Sequence, residues 1–445
     1  MYKAIIALFL MLINTVDARS TKYSHTQPVI TINRGYISKI QVSVYNIFSS
    51  DLSFNENNKN NLLSIINNDL KNTNLITITN RNLIYDKIPN FKTSPRFNLW
   101  KNSGTKIIVL IDAKEKGNNE IFGHVKIFDA ITSSLIEEFS LSAPLTNFRS
   151  FAHSISDKIY ESTTGEGPYL NSKIAYIDES KRVAKSIKIM DIDGYNIKNI
   201  IDKTTICLSP RFSPNGRYMT YFAYPIKYSK LRKRNVLAPG KVFVIDLKNK
   251  TIRSIAIKGM QYAPRFSNDS KKIIFSRTIR GASCICIYDL ENKKISQITH
   301  PFFKSIDTSP CFSKDDKSIV FNSDRTGSQQ IYTMSSDGSS ITRISSGEGR
   351  YATPVWSPRN DYIAFTKMVN GSFYIGVMRP NGTGERMIAQ GYIVESPCWS
   401  KNGRIVFYTA KHHPKDSSKI YAVDVTGYGS PILIKDHASY PDLSH

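Results

Sequence analysis

A chain of 445 residues, 40% hydrophobic and 11% aromatic, carries enough apolar side chain to bury more than one core, which excludes an intrinsically disordered protein. Its formal net charge of +24 would suit acidic partners, nucleic acid among them. The lysines, however, are scattered through Asn- and Ile-rich text such as NENNKNNLLSIINNDLKNTN (55–74), and that pattern reads as compositional bias, not as a basic patch.

The opening MYKAIIALFLMLINTVDARS has Lys3, an apolar run from Ala4 to Ile13, and Val16 and Ala18 at the −3 and −1 positions of a signal cleavage site. Residues 1–18 are therefore predicted to be an export signal, cut between Ala18 and Arg19. The run falls short of the ~18–20 apolar residues that cross a bilayer, and no later stretch approaches that length. A mature protein without a transmembrane segment is expected. Export, and the lack of an aromatic–basic platform, argue against nucleic acid as a partner.

An extended segment (19–38) leads into a small α/β domain (39–162). KIQVSVYNIF and KIIVLIDA read as strands, and FGHVKIFDAITSSLIEEFSL as a hairpin. Helical spacing places Leu62, Leu63, Ile66 and Leu70 on one face, and Phe148, Phe151, Ala152, Ile155 and Ile159 on another. The Gly- and Pro-containing stretch 163–172 suits a linker.

From Lys173 onward the chain repeats itself. A proline phrase, [S/A/T]-P-x-[aromatic]-S followed by a turn, recurs at Pro210, Pro264, Pro310, Pro354 and Pro397, with YPDLSH at Pro441. The interval is about 45 residues, and each of the first five phrases is followed by three more short strands, which is the signature of a propeller blade. One blade cannot cover both faces of its own sheet, so blades must pack side by side into a ring. The last phrase stops after one strand, while Lys173 to Asp202 has the later strands of a unit and no phrase before it. Together they make a sixth blade from both ends of the domain. The expected fold is a small α/β domain followed by a six-bladed β-propeller (173–445), closed by pairing of the C-terminal strand with the first blade.

The five cysteines read as buried small hydrophobes. Cys311 and Cys398 occupy equivalent places in separate repeats, which should keep them apart; Cys284 and Cys286 share one strand face, and Cys207 stands alone. There is no G-x-S-x-G elbow, P-loop or H-E-x-x-H, and TGEGPYL and SGEGRYA do not open a helix after a strand. His412 and His413 read as loop residues, and Asp246, Asp289 and Asp424 as turn formers. No catalytic residue, cofactor or metal is expected. The insertion Tyr224 to Lys241, which lengthens the first repeat, carries Lys227, Lys230, Arg232, Lys233 and Arg234 and reads as a solvated loop or as a contact for an acidic partner.

The phrase S-P-x-[W/F]-S-x-[N/D]-G with FNSDRTGSQQIYTMSSDG behind it, the junction GPYLNSKIAYI and the stretch IKIMDIDGYN together resemble the TolB family of the Tol–Pal system. That resemblance implies a non-enzymatic periplasmic adaptor acting in outer-membrane integrity and constriction at cell division. Its propeller would bind the Pal lipoprotein through loops that here carry Met260, Gln261, Tyr262, Asp307, Thr308, Arg350, Tyr351, Ala352 and Glu395. The mature N-terminus would bind TolA through Arg19, Ser20, Thr21, Lys22, Tyr23, Val29, Ile30 and Ile32. A glycan- or peptidoglycan-binding propeller, or a metal-dependent propeller enzyme, is the alternative.

Overall fold

The structure, a computed structural model, describes residues 38–46, 56–79, 86, 88–117, 119–181, 185–204, 206–229, 234–300 and 305–444. The expected signal, its cleavage point and the eight N-terminal contact residues, Arg19 to Ile32, lie outside these.

The first part is a five-stranded sheet in the order β2-β1-β3-β4-β5, built from β1 (Ile40–Asn46), β2 (Ile76–Ile78), β3 (Ile107–Lys116), β4 (Glu120–Asp129) and β5 (Ser134–Pro144). β1 pairs parallel with β2 and β3, and the last three strands run antiparallel. The apolar run of β3 is explained by burial on both faces. Val109 and Ile111 share a core with Leu62, Ile66 and Leu70 of α1 (Glu56–Asn72) and with Phe151, Ile155 and Ile159 of α3 (Phe148–Thr164). Ile108 and Leu110 face the other way, toward Trp100 of the short helix α2 (Phe97–Asn102), an element with too few residues to show a period. Gly123 of β4 is where Phe151 docks: a Cβ there would come within 2.7 Å of the ring. α3 stops at Gly165, whose φ of 71° is the left-handed cap that glycine adopts freely.

The rest is a ring of six four-stranded antiparallel sheets. In blades 2 to 6 the first strand is the proline phrase: Cys207–Phe212, Met260–Phe266, Asp307–Phe312, Arg350–Trp356 and Ile393–Trp399. Blade 1 takes its first strand from the C-terminus, where Ala438–Leu443 pairs antiparallel with Lys173–Asp178. Lys173 donates its N–H to Ser444 Oγ at 2.8 Å and accepts the Ser444 N–H at 2.9 Å, which staples residues 271 positions apart. The seam is as the repeat pattern demands, and no edge is left open there.

The phrase serine closes the first hairpin in four of the blades. The backbone N–H of Tyr218, Lys272, Ser318 and Ile405 donates to Ser213, Ser267, Ser313 and Ser400, five residues back in each case. These turns also bond to one another around the ring: Asn215 to Ser270, Asn268 to Asp316, Lys314 to Asn360, and Arg359 to the Asn402 carbonyl. Asn402 in turn donates to the Gly167 carbonyl, so the belt ends on the segment leading from α3.

Two expectations are corrected. The insertion is not a plain loop: Ile226–Ser229 and Arg234–Leu237 pair as a hairpin, which gives its backbone groups partners. Cys311 and Cys398 are separate in the chain but line one central cavity, because equivalent positions of a ring converge on its axis. All five cysteines are buried and unpaired.

Candidate partner-binding face of the propeller

A bulge shapes the channel wall in every blade. The residue before the proline has positive φ in all six phrases: Ser209 (53°), Ala263 (50°), Ser309 (52°), Thr353 (48°), Ser396 (55°) and Tyr440 (55°). Strand pairing loses register at each of these points. Proline has no N–H to withdraw from the ladder, so it occupies a bulge without losing a bond. Two ends result. One carries the short turns that follow the phrases; the other carries the connections that enter them.

The turn end is tethered to the α/β domain. Glu166, just past α3, bonds to Arg359 and, at 2.6 Å, to Arg404, from blades 5 and 6. Asp157 of α3 accepts the N–H groups of Tyr169, Leu170 and Asn171 at 2.8, 2.6 and 3.1 Å. Beside them lies a buried charge cluster. His153 and Asp191 are each 1% exposed. His153 Nδ1 bonds Asp69 at 2.7 Å and Nε2 faces Asp191 at 3.6 Å. Asp191 also receives Arg149 at 2.7 Å and Lys173 at 2.6 Å, and Arg149 reaches Asp193 as well. Burial opposes the His153 charge, but the adjacent carboxylates of Asp191 and Asp69 prevail and lift it to about 9. Burial lifts the Asp69 carboxyl even so, and the Asp191 carboxyl, despite its burial, is held far below its usual range by His153, Lys173 and Arg149. Asp69, His153 and Asp193 could together contact a cation, but Arg149 already bonds Asp193 and His153 already bonds Asp69. None of this cluster was singled out from sequence; the IMDIDG stretch marks its acidic half, and nothing local marks the helix half.

The opposite end carries the residues picked out for a partner. Met260, Tyr262, Thr308, Ala352 and Glu395 are partly exposed there and Arg350 is exposed. Three others are framework. Gln261 is fully buried: its oxygen accepts the Val242 N–H at 3.1 Å and its nitrogen donates to the carbonyls of Ile255 and Ile257, bracing blade 2 to blade 3. Asp307, also fully buried, pairs with Arg325 at 2.9 Å and accepts the Ser323 hydroxyl. Tyr351 is buried with its hydroxyl on Glu385 at 2.9 Å. Strand alternation turns these side chains into the blades, so they are not contact surface. Burial, then the charge of Glu179, pushes Glu395 up to about 7.

Fold and site together define a class: a closed, rigid propeller on an α/β base, with a loop-lined mouth at its far end suited to holding another macromolecule. The profile of the TolB amino-terminal domain matches residues 28–136 and that of the TolB beta propeller domain residues 160–439. The Tol-Pal system protein TolB of Rickettsia canadensis is 36% identical over 433 residues, covering 93% of this chain and 94% of that protein. Its counterpart from Gluconobacter oxydans is 33% identical over 390 residues, covering 85% and 82%. The crystal structure of TolB from Acinetobacter baumannii superposes with a TM-score of 0.77 at 21% identity, covering 93% of this chain and 98% of the other, and so shares its fold. The chain belongs to the TolB family.

Proposed function

We propose that the protein is a non-enzymatic adaptor of the Tol–Pal system in the periplasm, binding the Pal lipoprotein at the propeller mouth and TolA through residues 19–32. Its role would be in outer-membrane integrity and constriction at division. One observation carries the reading. Accessible side chains from four successive blades, Met260 and Tyr262, Thr308, Arg350 and Ala352, and Glu395, surround one mouth, at the end not tethered to the α/β domain. A rigid ring can hold a partner there without paying to order loops on contact.

Calorimetric titration of the mature chain with the lipoprotein tests this. Thr308→Arg and Arg350→Glu should each weaken binding by about tenfold or more, since each puts bulk or reversed charge at the centre of the contact. Deleting 19–32 should abolish TolA binding and leave the lipoprotein titration unchanged. Wild-type affinities in all three variants would reject the reading.

A further inference from the structure

The channel holds a second feature at its turn end, away from the mouth. There a cavity of about 90 Å³ is walled by Arg211, Arg265, Cys311, Cys398 and Asp442, with Lys314 from a turn. The first five are the residues just after their prolines, so they sit at one level of the ring.

Arg211 has a structural explanation. It is 6% exposed, and it donates to the carbonyl of Pro441 at 2.9 Å and that of Pro210 at 3.3 Å, tying blade 2 to the closing strand. Its carboxylate neighbour is a weak partner. Asp442 stands 3.5 Å off and commits its other oxygen to the Phe212 N–H at 2.8 Å. Burial, then the charge of Arg265, pushes Arg211 down to about 10, so it keeps its proton at neutral pH while repelling its twin.

Arg265 has no such explanation. Half-buried on the channel wall, its side chain makes no hydrogen bond or ion pair among the described residues. Two guanidinium groups therefore wall the cavity, with the exposed Lys314 at its rim, and the one carboxylate in the wall is already in use. Two guanidinium forks and an ammonium are the donor set that fits a tetrahedral oxyanion. We propose that this end of the channel binds a small oxyanion of the phosphate class, gripped by Arg265 and Arg211 with Lys314 alongside. The site is distinct from the mouth: Arg265 lies three residues beyond Tyr262 on the same first strand, on the far side of the bulge.

Calorimetric titration of the mature protein with inorganic phosphate, against chloride at matched ionic strength, is the test. Wild type should show saturable heat and a thermal midpoint that rises with phosphate. Arg265→Gln should weaken the apparent affinity about tenfold or more, in line with losing a charge-assisted fork, and Arg265→Lys should fall between. Arg265→Gln should fold as wild type by circular dichroism, because no protein group loses a partner, and its affinity for the lipoprotein should not change. Glycerol 3-phosphate in a parallel titration separates a phosphomonoester source from the free ion, the tighter of the two naming the source. No saturable effect beyond chloride, or undiminished binding by Arg265→Gln, would overturn the proposal whatever happens at the mouth.

Discussion

Glu395 shows how one side chain is set against its own solvation at the mouth. It lies two residues before Pro397, near Tyr440 and the carboxylate of Glu179, and only the charges of Lys185 and Lys411 act in favour of its ionised form. Its folded pKa of about 7 stands above the ordinary carboxylate value, so the sign is a penalty. The cost is absent in acid, where the group is protonated in both states, and grows as pH rises until it is complete above about 7. Glu395→Gln removes that ionisation. It should stabilise the protein at pH 8 by about 1–2 kcal/mol, a figure reduced from the full shift because the side chain is partly solvated. At pH 4.5 the two proteins should unfold at the same urea concentration. A variant no more stable at pH 8 would show that the carboxylate is solvated after all.

At the scale of elements, α3 and the third strand of blade 1 are held by charges that neither could bury alone. Removing one partner of such a set leaves the others desolvated and unpaired. Asp191→Asn strips the shared acceptor from Arg149, Lys173 and His153 and should cost about 3–5 kcal/mol in urea unfolding. The pH dependence has a definite direction. His153 is lifted to about 9, so its contribution is whole below the ordinary histidine value of ~6.5 and disappears as pH climbs through 9. Stability should fall by up to about 3 kcal/mol across that window, with Asp69, Asp191, Asp193, Arg149 and Lys173 as the surrounding charges. His153→Gln should abolish the slope; a slope that survives the substitution would assign it elsewhere. This junction also marks where sequence reading stops. Periodicity identified Phe151, Ile155 and Ile159 as the buried face of α3, because apolar spacing reports burial directly. It could not report His153 on the same helix, whose partners come from Asp69 and Asp191, 84 residues before and 38 after. The proline phrase worked in the same way: it located each first strand, yet what turns Gln261, Asp307 and Tyr351 into the blade is partners on other strands, such as Val242 and Arg325, which no local pattern reports. The inserted hairpin is not legible because its strands are only four residues each, too short for the alternation of Ile226–Ser229 to stand out, and Arg234–Leu237 does not alternate at all.

For the whole molecule, the ring is an all-or-none device whose closure rests on six residues. Bringing Ala438–Leu443 to Lys173–Asp178 closes a loop of 271 residues, at a chain-entropy cost of about 5 kcal/mol. What offsets it is local and specific. Ala438 and Leu443 are buried in the core shared with the α/β domain, Pro441 offers its carbonyl to Arg211, Asp442 accepts from Phe212, and Ser439 donates to Glu179 at 2.8 Å. Blades 1, 2 and 6 all lose packing if this strand leaves, since it touches each of them. Truncation after His437 should therefore do more than fray an end. It exposes the Lys173–Asp178 edge, strands the buried Arg211 and opens the phosphate-class site in one step. We expect the truncated protein to lose the single sharp urea transition of wild type and to run as an expanded or self-associating species, because an open apolar edge is a template for another chain. A synthetic peptide of residues 438–445 added in excess should restore the compact form, which separates loss of closure from general misfolding. If the truncated chain instead unfolds at the wild-type midpoint and ignores the peptide, closure contributes nothing and the blades are stable as an open array, each stacked only on its neighbour.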